Sequence, residues 1–289
     1  MNNFKITTDS NADLPKKYVE EHGIGVVYLT CLFEGKSYGE EEVLDPTYFY
    51  EKMRTGSMPT TSQVNPEEAR IFFEEILGET KNILHISFSA ELSGTYNSVR
   101  MAAGELMEER GDCNIIVIDS KSVSLGVGFL IHQAVLLRKE GKSCREAAAW
   151  VHGNYSNVCN VFTVDDLNHL QRGGRVSKAS AIVGTIAGIK PLLKVDDSGK
   201  LVPYDKIRGR KKSLNALVDY MKEQIADHMK ENQMVFISHG DAYEDAQYVA
   251  DLIKEELGIT EFLIDSIGAT VGAHSGPGTV ALFFYGASR

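Results

Sequence analysis

The sequence predicts an α/β protein of two domains, a parallel-sheet N-terminal domain and a mixed α/β C-terminal domain. Short apolar runs alternate with helical patterns over 289 residues, a length that suits one large domain or two of ordinary size. Two buried-strand patterns, at residues 83–87 and 115–119, flank a helical pattern at 95–109. This strand–helix–strand unit favours a parallel sheet. The second half changes character, because residues 191–195 and 201–206 flank a turn sequence in a hairpin pattern.

Other signals in the N-terminal half are a strand at 4–8, a helix at 14–22 and a β-rich run at 24–33 that ends in a turn at 34–35. Asp45 and Asn65 each precede a proline, which is the arrangement of an N-cap residue before the first helical position. Ser143 followed by Glu146 is a capping-box pattern, so a helix is expected from there to about residue 155.

The C-terminal half carries strand patterns at 158–164, 234–238, 262–266 and 280–285, and helical patterns at 213–230 and 244–257. We expect the domain boundary near residues 154–157, which gives domains of 1–156 and 157–289. The sequence shows no internal repeat and no low-complexity segment.

Charge and cysteine content narrow the class of protein. The net charge of −10 argues against a nucleic-acid partner, because phosphate binding depends largely on Lys and Arg. The four cysteines form no C-x-x-C and no zinc pattern, so we expect reduced thiols and no metal site. No apolar signal sequence opens the chain, and its longest apolar stretch, 123–137, is too short for a membrane span. A cytoplasmic protein is the expectation.

Two Ser/Thr-rich loops are candidate anion sites. Residues 59–63, P-T-T-S-Q, place hydroxyls and backbone N–H groups before a predicted helix, and a helix N-terminus attracts anions. Residues 89–95 follow a predicted strand and precede a helix, which is where open α/β sheets bind ligands. Gly94 lets a ligand approach the backbone closely. The alternative is that these residues only cap their own helices.

Two Gly-rich loops are also candidates. Residues 274–279, H-S-G-P-G-T, suit an irregular backbone with N–H groups turned to one side, and His274 can donate to an anion. A simple turn with a capped histidine fits equally well. Arg172 and Arg175 flank two glycines and suit bidentate carboxylate or phosphate contacts, but Gly and Arg are also favoured where a helix ends.

Catalytic motifs are missing from the sequence. It contains no P-loop, no G-x-S-x-G and no H-E-x-x-H. A serine nucleophile at Ser93 would need a base such as His274, and only the fold can bring the two together. We therefore expect a binding protein, with two alternatives: an enzyme that acts on a phosphate or acyl ester, and a regulatory module that responds to a metabolite anion.

Taken in order, these loops resemble those of the DegV family, whose members include the fatty-acid-binding subunits of bacterial fatty acid kinase. The matching residues span essentially the whole chain: Asp9-Ser10 with Asp13-Leu14, Thr61-Ser62-Gln63, Leu92-Ser93-Gly94-Thr95, L-Q-R-G-G-R at 170–175 and H-S-G-P-G-T at 274–279. One departure is Val64, where many members have proline after T-S-Q.

The resemblance implies two α/β domains with a long acyl chain held between or within them and no cofactor. It implies a ligand carboxylate on hydroxyl and backbone groups near His274, and the predicted ligand-binding residues are Thr61, Ser62, Ser93, Gly94, Thr95, His274 and Gly278. In kinase-linked members, a separate ATP-dependent fatty acid kinase subunit phosphorylates the bound carboxylate. Arg172, and Arg208 in the basic segment 206–212, are then candidates for docking that subunit.

Overall fold

The computed structural model describes residues 4–40, 42–165, 167–177, 188–225 and 227–289. In chain order its strands are β1 (Lys5–Asp9), β2 (Gly25–Val27), β3 (Thr30–Phe33), β4 (Lys36–Tyr38), β5 (Thr60–Ser62), β6 (Asn82–Ser87), β7 (Asn114–Asp119), β8 (Val158–Thr163), β9 (Ile189–Val195), β10 (Leu201–Arg208), β11 (Val235–His239), β12 (Phe262–Ser266) and β13 (Val280–Tyr285).

Its α-helices within those ranges are α1 (Lys16–Glu21), α2 (Pro46–Arg54), α3 (Pro66–Leu77), α4 (Thr95–Arg110), α5 (Leu125–Lys139), α6 (Cys144–Asn154), α7 (Asn168–Arg172), α8 (Arg210–Ile225), α9 (Tyr243–Leu257) and α10 (Ala269–Ser275). Short 3-10 turns follow β1 at Ser10–Ala12 and precede β8 at Tyr155–Asn157.

The first sheet is parallel throughout and has the strand order β2-β1-β6-β7. Apolar side chains of α3 and α4 pack on one face of it, and those of α5 and α6 pack on the other. Because both faces are covered, its central strands β1 and β6 are buried over most of their length, although they carry polar side chains such as Thr7, Thr8 and His85. This confirms the parallel sheet expected from the strand–helix–strand pattern.

The second sheet has six strands in the order β10-β9-β8-β13-β11-β12. Only the β11–β12 pair is parallel, and the predicted hairpin is the antiparallel pair β9–β10. The mixed sheet expected in the C-terminal half is therefore confirmed. Helices α8 and α9 cover its outer face. All six strands lie after residue 157, although the boundary at 154–157 itself stays a prediction.

Helix α5 lies between the two large sheets. It packs against β1 and β6 on one side and against β8, β11 and β13 on the other. Most of the apolar stretch at 123–137 lies in this helix, whose first seven residues, Leu125–Ile131, are apolar all round because both of its sides are buried there. One hydrophobic cluster consequently joins the two sheets through α5.

A third, small antiparallel sheet, β4-β3-β5, carries the T-S-Q segment. Thr61 of β5 pairs with Cys31 of β3, and α2 packs under the sheet through Phe49 and Tyr50. The Tyr50 hydroxyl donates to the Ile267 carbonyl at 2.9 Å. This bond ties the small sheet to the loop before α10, and it helps to bring Thr61 towards that helix.

Helix ends follow the capping rules where the sequence shows a cap. Asp45, Asn65 and Ser143 each accept a backbone N–H at the predicted N-cap. The prediction of a helix at 213–230 is wrong at both ends, because α8 begins at Arg210 and ends at Ile225. The Gln224 carbonyl accepts the Ala287 amide and the His228 amide turns back to Ile225, so the helical ladder stops. Residue 226 lies outside the described residues.

No helix in the described part of the chain is long and apolar enough to cross a membrane.

Candidate ligand-binding site

A cavity of about 190 Å³ lies where loops from both large sheets meet α10. Its lining includes residues just past the carboxyl ends of three parallel strands: Asn11 after β1, Phe88 after β6 and Val123 after β7. Ligands of open α/β sheets bind at this edge. Most of the wall is apolar, with Leu92, Phe162, Leu170, Val271 and Phe283 among the side chains that form it.

Polar groups gather in one part of the cavity wall. Thr61 of β5 and His274 of α10 are hydrogen-bonded, with 2.8 Å between Oγ1 and Nε2. Burial lowers the pKa of His274 to about 4, and the positive charges of Arg175 and Arg172 add to the effect. The imidazole is therefore neutral at physiological pH, and it orients the Thr61 hydroxyl rather than supplying a charge.

Gly173 makes room for His274. A Cβ atom at position 173 would lie 2.2 Å from Nδ1 of the His274 ring, far inside van der Waals contact. The backbone of Gly173 is in the ordinary right-handed helical region, with φ −71°, so space rather than conformation requires glycine here. The close approach of the His274 ring therefore explains why the first glycine of the R-G-G-R sequence is needed.

Ser93 and Gly94 stand at the N-terminus of α4, a helix of 16 residues. Ser93 Oγ donates to Thr95 Oγ1 at 3.0 Å, and Gly94 occupies the N-cap without a side-chain cap. A Cβ at Gly94 would collide with Gln63 Oε1 at 2.0 Å, so the T-S-Q segment and the start of α4 touch at this glycine. The Thr95 amide donates to Ser93 Oγ at 3.3 Å, while the next amides of the first turn and the helix dipole favour an anion there.

Arg175 contributes a positive charge to the same region. Its Nε and Nη2 atoms donate to the Leu92 carbonyl at 3.2 and 3.1 Å. Within the described ranges, no carboxylate forms an ion pair with its guanidinium. Its Nη1 donates to the Gly173 carbonyl, so backbone carbonyls hold the guanidinium in the cavity wall without neutralising its charge.

Two buried carboxyl groups hold the surrounding loops in place. Asp9 accepts the Ser87 hydroxyl and the Phe88 amide, both at 2.9 Å. Asp13 accepts the Ser124 hydroxyl at 2.6 Å and the Gly268 amide at 2.9 Å. Burial raises the pKa of Asp9 to about 6 and that of Asp13 to about 7. These bonds join the ends of β1, β6 and β7 to the loop before α10.

The predicted site residues divide into two groups. The cavity brings together Thr61, Ser62, Ser93, Gly94 and His274, which come from three distant parts of the sequence. Two others lie outside the lining. Thr95 is buried beneath Ser93, and Gly278 donates its amide to the Gly240 carbonyl while its own carbonyl accepts Arg210.

The predicted docking residues are on the surface. Arg172 is exposed at the end of α7 and donates to His169 Nδ1 at 2.9 Å, and Arg208 is exposed at the end of β10. Of the two arginines in R-G-G-R, Arg172 thus occupies the helix C-terminus and Arg175 reaches the cavity. The sequence pattern allowed either assignment.

Sequence reasoning did not single out Asn11 or Ser124, which also line the cavity, and it included Ser275 only as a member of the loop 274–279. Ser124 has φ 48° and ψ −135°, a conformation that is costly for a residue with a side chain. No local sequence signal marks such a backbone. In the described part of the chain, no cluster of three or more His, Cys, Asp or Glu side chains is arranged to hold a metal ion.

A sequence model of the DegV family, described as uncharacterised protein, matches residues 3–287. The chain belongs to the DegV family. Among DegV relatives, it is 42% identical over 291 residues to a DegV domain-containing protein of Clostridium perfringens, covering 100% of this chain and 99% of that protein.

Two solved structures are similar over nearly the whole fold. One is a DegV family protein from Thermus thermophilus described as fatty-acid-binding, with a TM-score of 0.87, 29% identity and coverage of 98% of this chain and 99% of that one. The other is a stearic acid-binding protein from Eubacterium ventriosum, with a TM-score of 0.86, 26% identity and 97% coverage of both chains. The α/β fold expected from the DegV resemblance is thereby confirmed.

Proposed function

We propose that this DegV protein binds a long-chain fatty acid, with the carboxylate on Thr61 and Ser93 near His274 and the acyl tail along the apolar wall. The observation that carries the proposal is the composition of the cavity. It is apolar over most of its surface, and its hydroxyls, its cation and a helix N-terminus are grouped together.

The grouped polar atoms suit a carboxylate. A buried carboxylate must be hydrogen-bonded, because an unpaired buried charge is very costly. If the neutral His274 ring donates its Nε2–H to Thr61, the Thr61 hydroxyl proton is free to bond the ligand. Arg175 and the first-turn amides of α4 after Thr95 supply further donors, and the Ser93 hydroxyl joins them when its proton turns from Thr95 Oγ1 to the carboxylate.

The apolar wall suits an alkyl chain. Each buried methylene contributes roughly 0.8 kcal/mol, so a long tail can provide most of the affinity. The fatty-acid and stearic acid descriptions of the two related structures support a ligand of this class.

The proposal includes a carrier role. The bound fatty acid is presented to a separate ATP-dependent kinase subunit, which phosphorylates the carboxylate, and the exposed Arg172 and Arg208 contact that subunit. The DegV resemblance supports this step. The geometry of Ser93 supports a carrier over an esterase, because its hydroxyl donates to Thr95 rather than to a histidine base.

Lipid analysis of the purified protein tests the proposal. We expect mass spectrometry to find co-purified long-chain fatty acid, and we expect palmitate or oleate to raise the melting temperature of the delipidated protein. If neither palmitate nor oleate changes the melting temperature of the delipidated protein, the proposal is refuted.

Substitutions test the assignment of the carboxylate. Ser93→Ala and Thr61→Val should each weaken binding about ten-fold while the protein stays folded, since each removes one hydrogen bond to a charged group. Ser37→Ala, on the exposed strand β4, is the matched control and should leave affinity unchanged. Equal affinity in all three variants would place the carboxylate elsewhere.

A further inference from the structure

Asn11 is a polar residue in the cavity away from the cluster around His274. Its side chain is buried, with 4% of the residue exposed, and it lines the cavity beside Leu29 and Val271. Its Oδ1 accepts the Thr270 hydroxyl at 2.6 Å. Its Nδ2 donates to no described residue, so an amide donor without a partner is accessible from the cavity.

Helix α10 sets the distance between Asn11 and the proposed carboxylate position. Thr270, which holds Asn11, lies four residues before His274 and therefore on the same face of the helix. Four residues rise about 6 Å along a helix axis. Asn11, held by Thr270, is thus about one helical turn from His274, and an acyl tail that runs from His274 along α10 towards Thr270 would pass it.

Two other hydroxyls of the wall already have partners, whereas the buried Ser275 Oγ, next to His274 in the chain and so at the proposed carboxylate end, has none. The Ser124 hydroxyl is bonded to Asp13 and Ser238, and the Thr279 hydroxyl donates to the carbonyls of Ser275 and Gly276. An alkyl chain can pass these groups at little cost. An alkyl chain that covers Asn11 would leave its amide buried without an acceptor, which is unfavourable.

We propose that Asn11, positioned by Thr270, forms a second polar subsite that selects an acyl chain carrying an oxygen substituent, a hydroxyl or keto group, over a plain alkyl chain. The inference rests on the proposed function, because it assumes that the cavity holds a fatty acid with its carboxylate near His274. The substituent oxygen accepts the Nδ2–H of Asn11, and the Asn11–Thr270 hydrogen bond stays intact.

A competition assay with a positional series of hydroxypalmitates and palmitate tests this subsite. For the wild-type protein, we expect one hydroxyl position to bind about ten-fold more tightly than palmitate, the scale set by an unpaired buried donor. Asn11→Leu should abolish that preference and bind palmitate at least as tightly as the wild-type protein does. Asn11→Ala provides the same comparison if the leucine variant fails to fold.

Thr270→Val is the matched control on the neighbouring side chain. It keeps the Asn11 amide and removes only the bond that orients it, so the preference should weaken but keep its position along the acyl chain. Palmitate binding with no preferred hydroxyl position, or a preference that survives in Asn11→Leu and Asn11→Ala, would overturn the subsite while leaving fatty-acid binding intact. Failure to bind any fatty acid would overturn both proposals.

Discussion

Replacing Gly173 by alanine tests the cluster around His274 without removing any polar atom from it. The added Cβ would lie 2.2 Å from His274 Nδ1. An ordinary contact needs at least 3.4 Å, so the ring must move by about 1.2 Å. Such a shift cannot keep the 2.8 Å hydrogen bond between His274 and Thr61 in its present geometry.

Two opposing effects set the change in stability. Overpacking costs about 1–3 kcal/mol. Alanine gains about 0.5–1 kcal/mol over glycine in a right-handed helical conformation, which position 173 already has. The free energy of unfolding should therefore fall by no more than about 2.5 kcal/mol. The protein should stay folded, and affinity for palmitate should fall about ten-fold, because the oriented Thr61 hydroxyl is lost.

Isothermal titration of the delipidated protein with palmitate, beside chemical denaturation, measures both quantities. Gly104→Ala, inside α4, is the control, because a Cβ there meets nothing within 4 Å, and it should leave affinity unchanged. If Gly173→Ala binds palmitate as tightly as Gly104→Ala does, the cluster at His274 does not hold the carboxylate.

Three further predictions concern pH and partner binding. Burial raises the pKa of Asp13 to about 7, above an unfolded value of about 3.9, so the stability that this group contributes is fully present below the unfolded pKa and is lost as pH rises through 7. When the pH is lowered from 8 to 6, the unfolding free energy of the wild-type protein should rise by about 1 kcal/mol relative to that of Asp13→Asn. The same pH dependence in both proteins would contradict the raised pKa of Asp13. Affinity for palmitate should stay constant from pH 6 to pH 8, because the pKa of His274 is about 4, and a several-fold loss across that range would mean that binding needs the imidazolium. Arg172→Glu and Arg208→Glu should weaken capture of the kinase subunit but not palmitate binding, whereas Arg145→Glu, on the exposed surface of α6, should change neither, and unchanged capture by all three would remove the docking assignment.

Local signals predicted most of the fold. The N-caps at Asp45, Asn65 and Ser143 act over three or four residues, so the sequence pattern contains all the partners they need. Helix α5 was missed because a segment that is apolar all round has no amphipathic period to read. The end of α8 was missed because the Gln224 carbonyl, near that end, accepts a hydrogen bond from the amide of Ala287, which lies far along the chain.

The candidate site was likewise predicted where its signals are local and missed where they depend on the fold. The loops at Thr61, Ser93 and His274 stood out because small polar residues interrupt periodic segments, and their order along the chain matched the DegV pattern. Gly278 shares that composition, yet its amide bonds Gly240 and it lies outside the cavity lining. Arg175 could not be separated from Arg172 by pattern, because both flank the same two glycines.

By itself, the sequence determined the α/β class, the parallel and mixed sheets, the caps and the loops in which an anion site should be sought. These follow from hydrophobic period and turn chemistry, which act between near neighbours. Only the tertiary structure decided that His274 bonds Thr61, that Gly173 admits the His274 ring and that Asn11 faces an apolar cavity. Those facts depend on atoms more than a hundred residues apart meeting in a closely packed interior, where one added carbon or one unpaired amide changes what can bind.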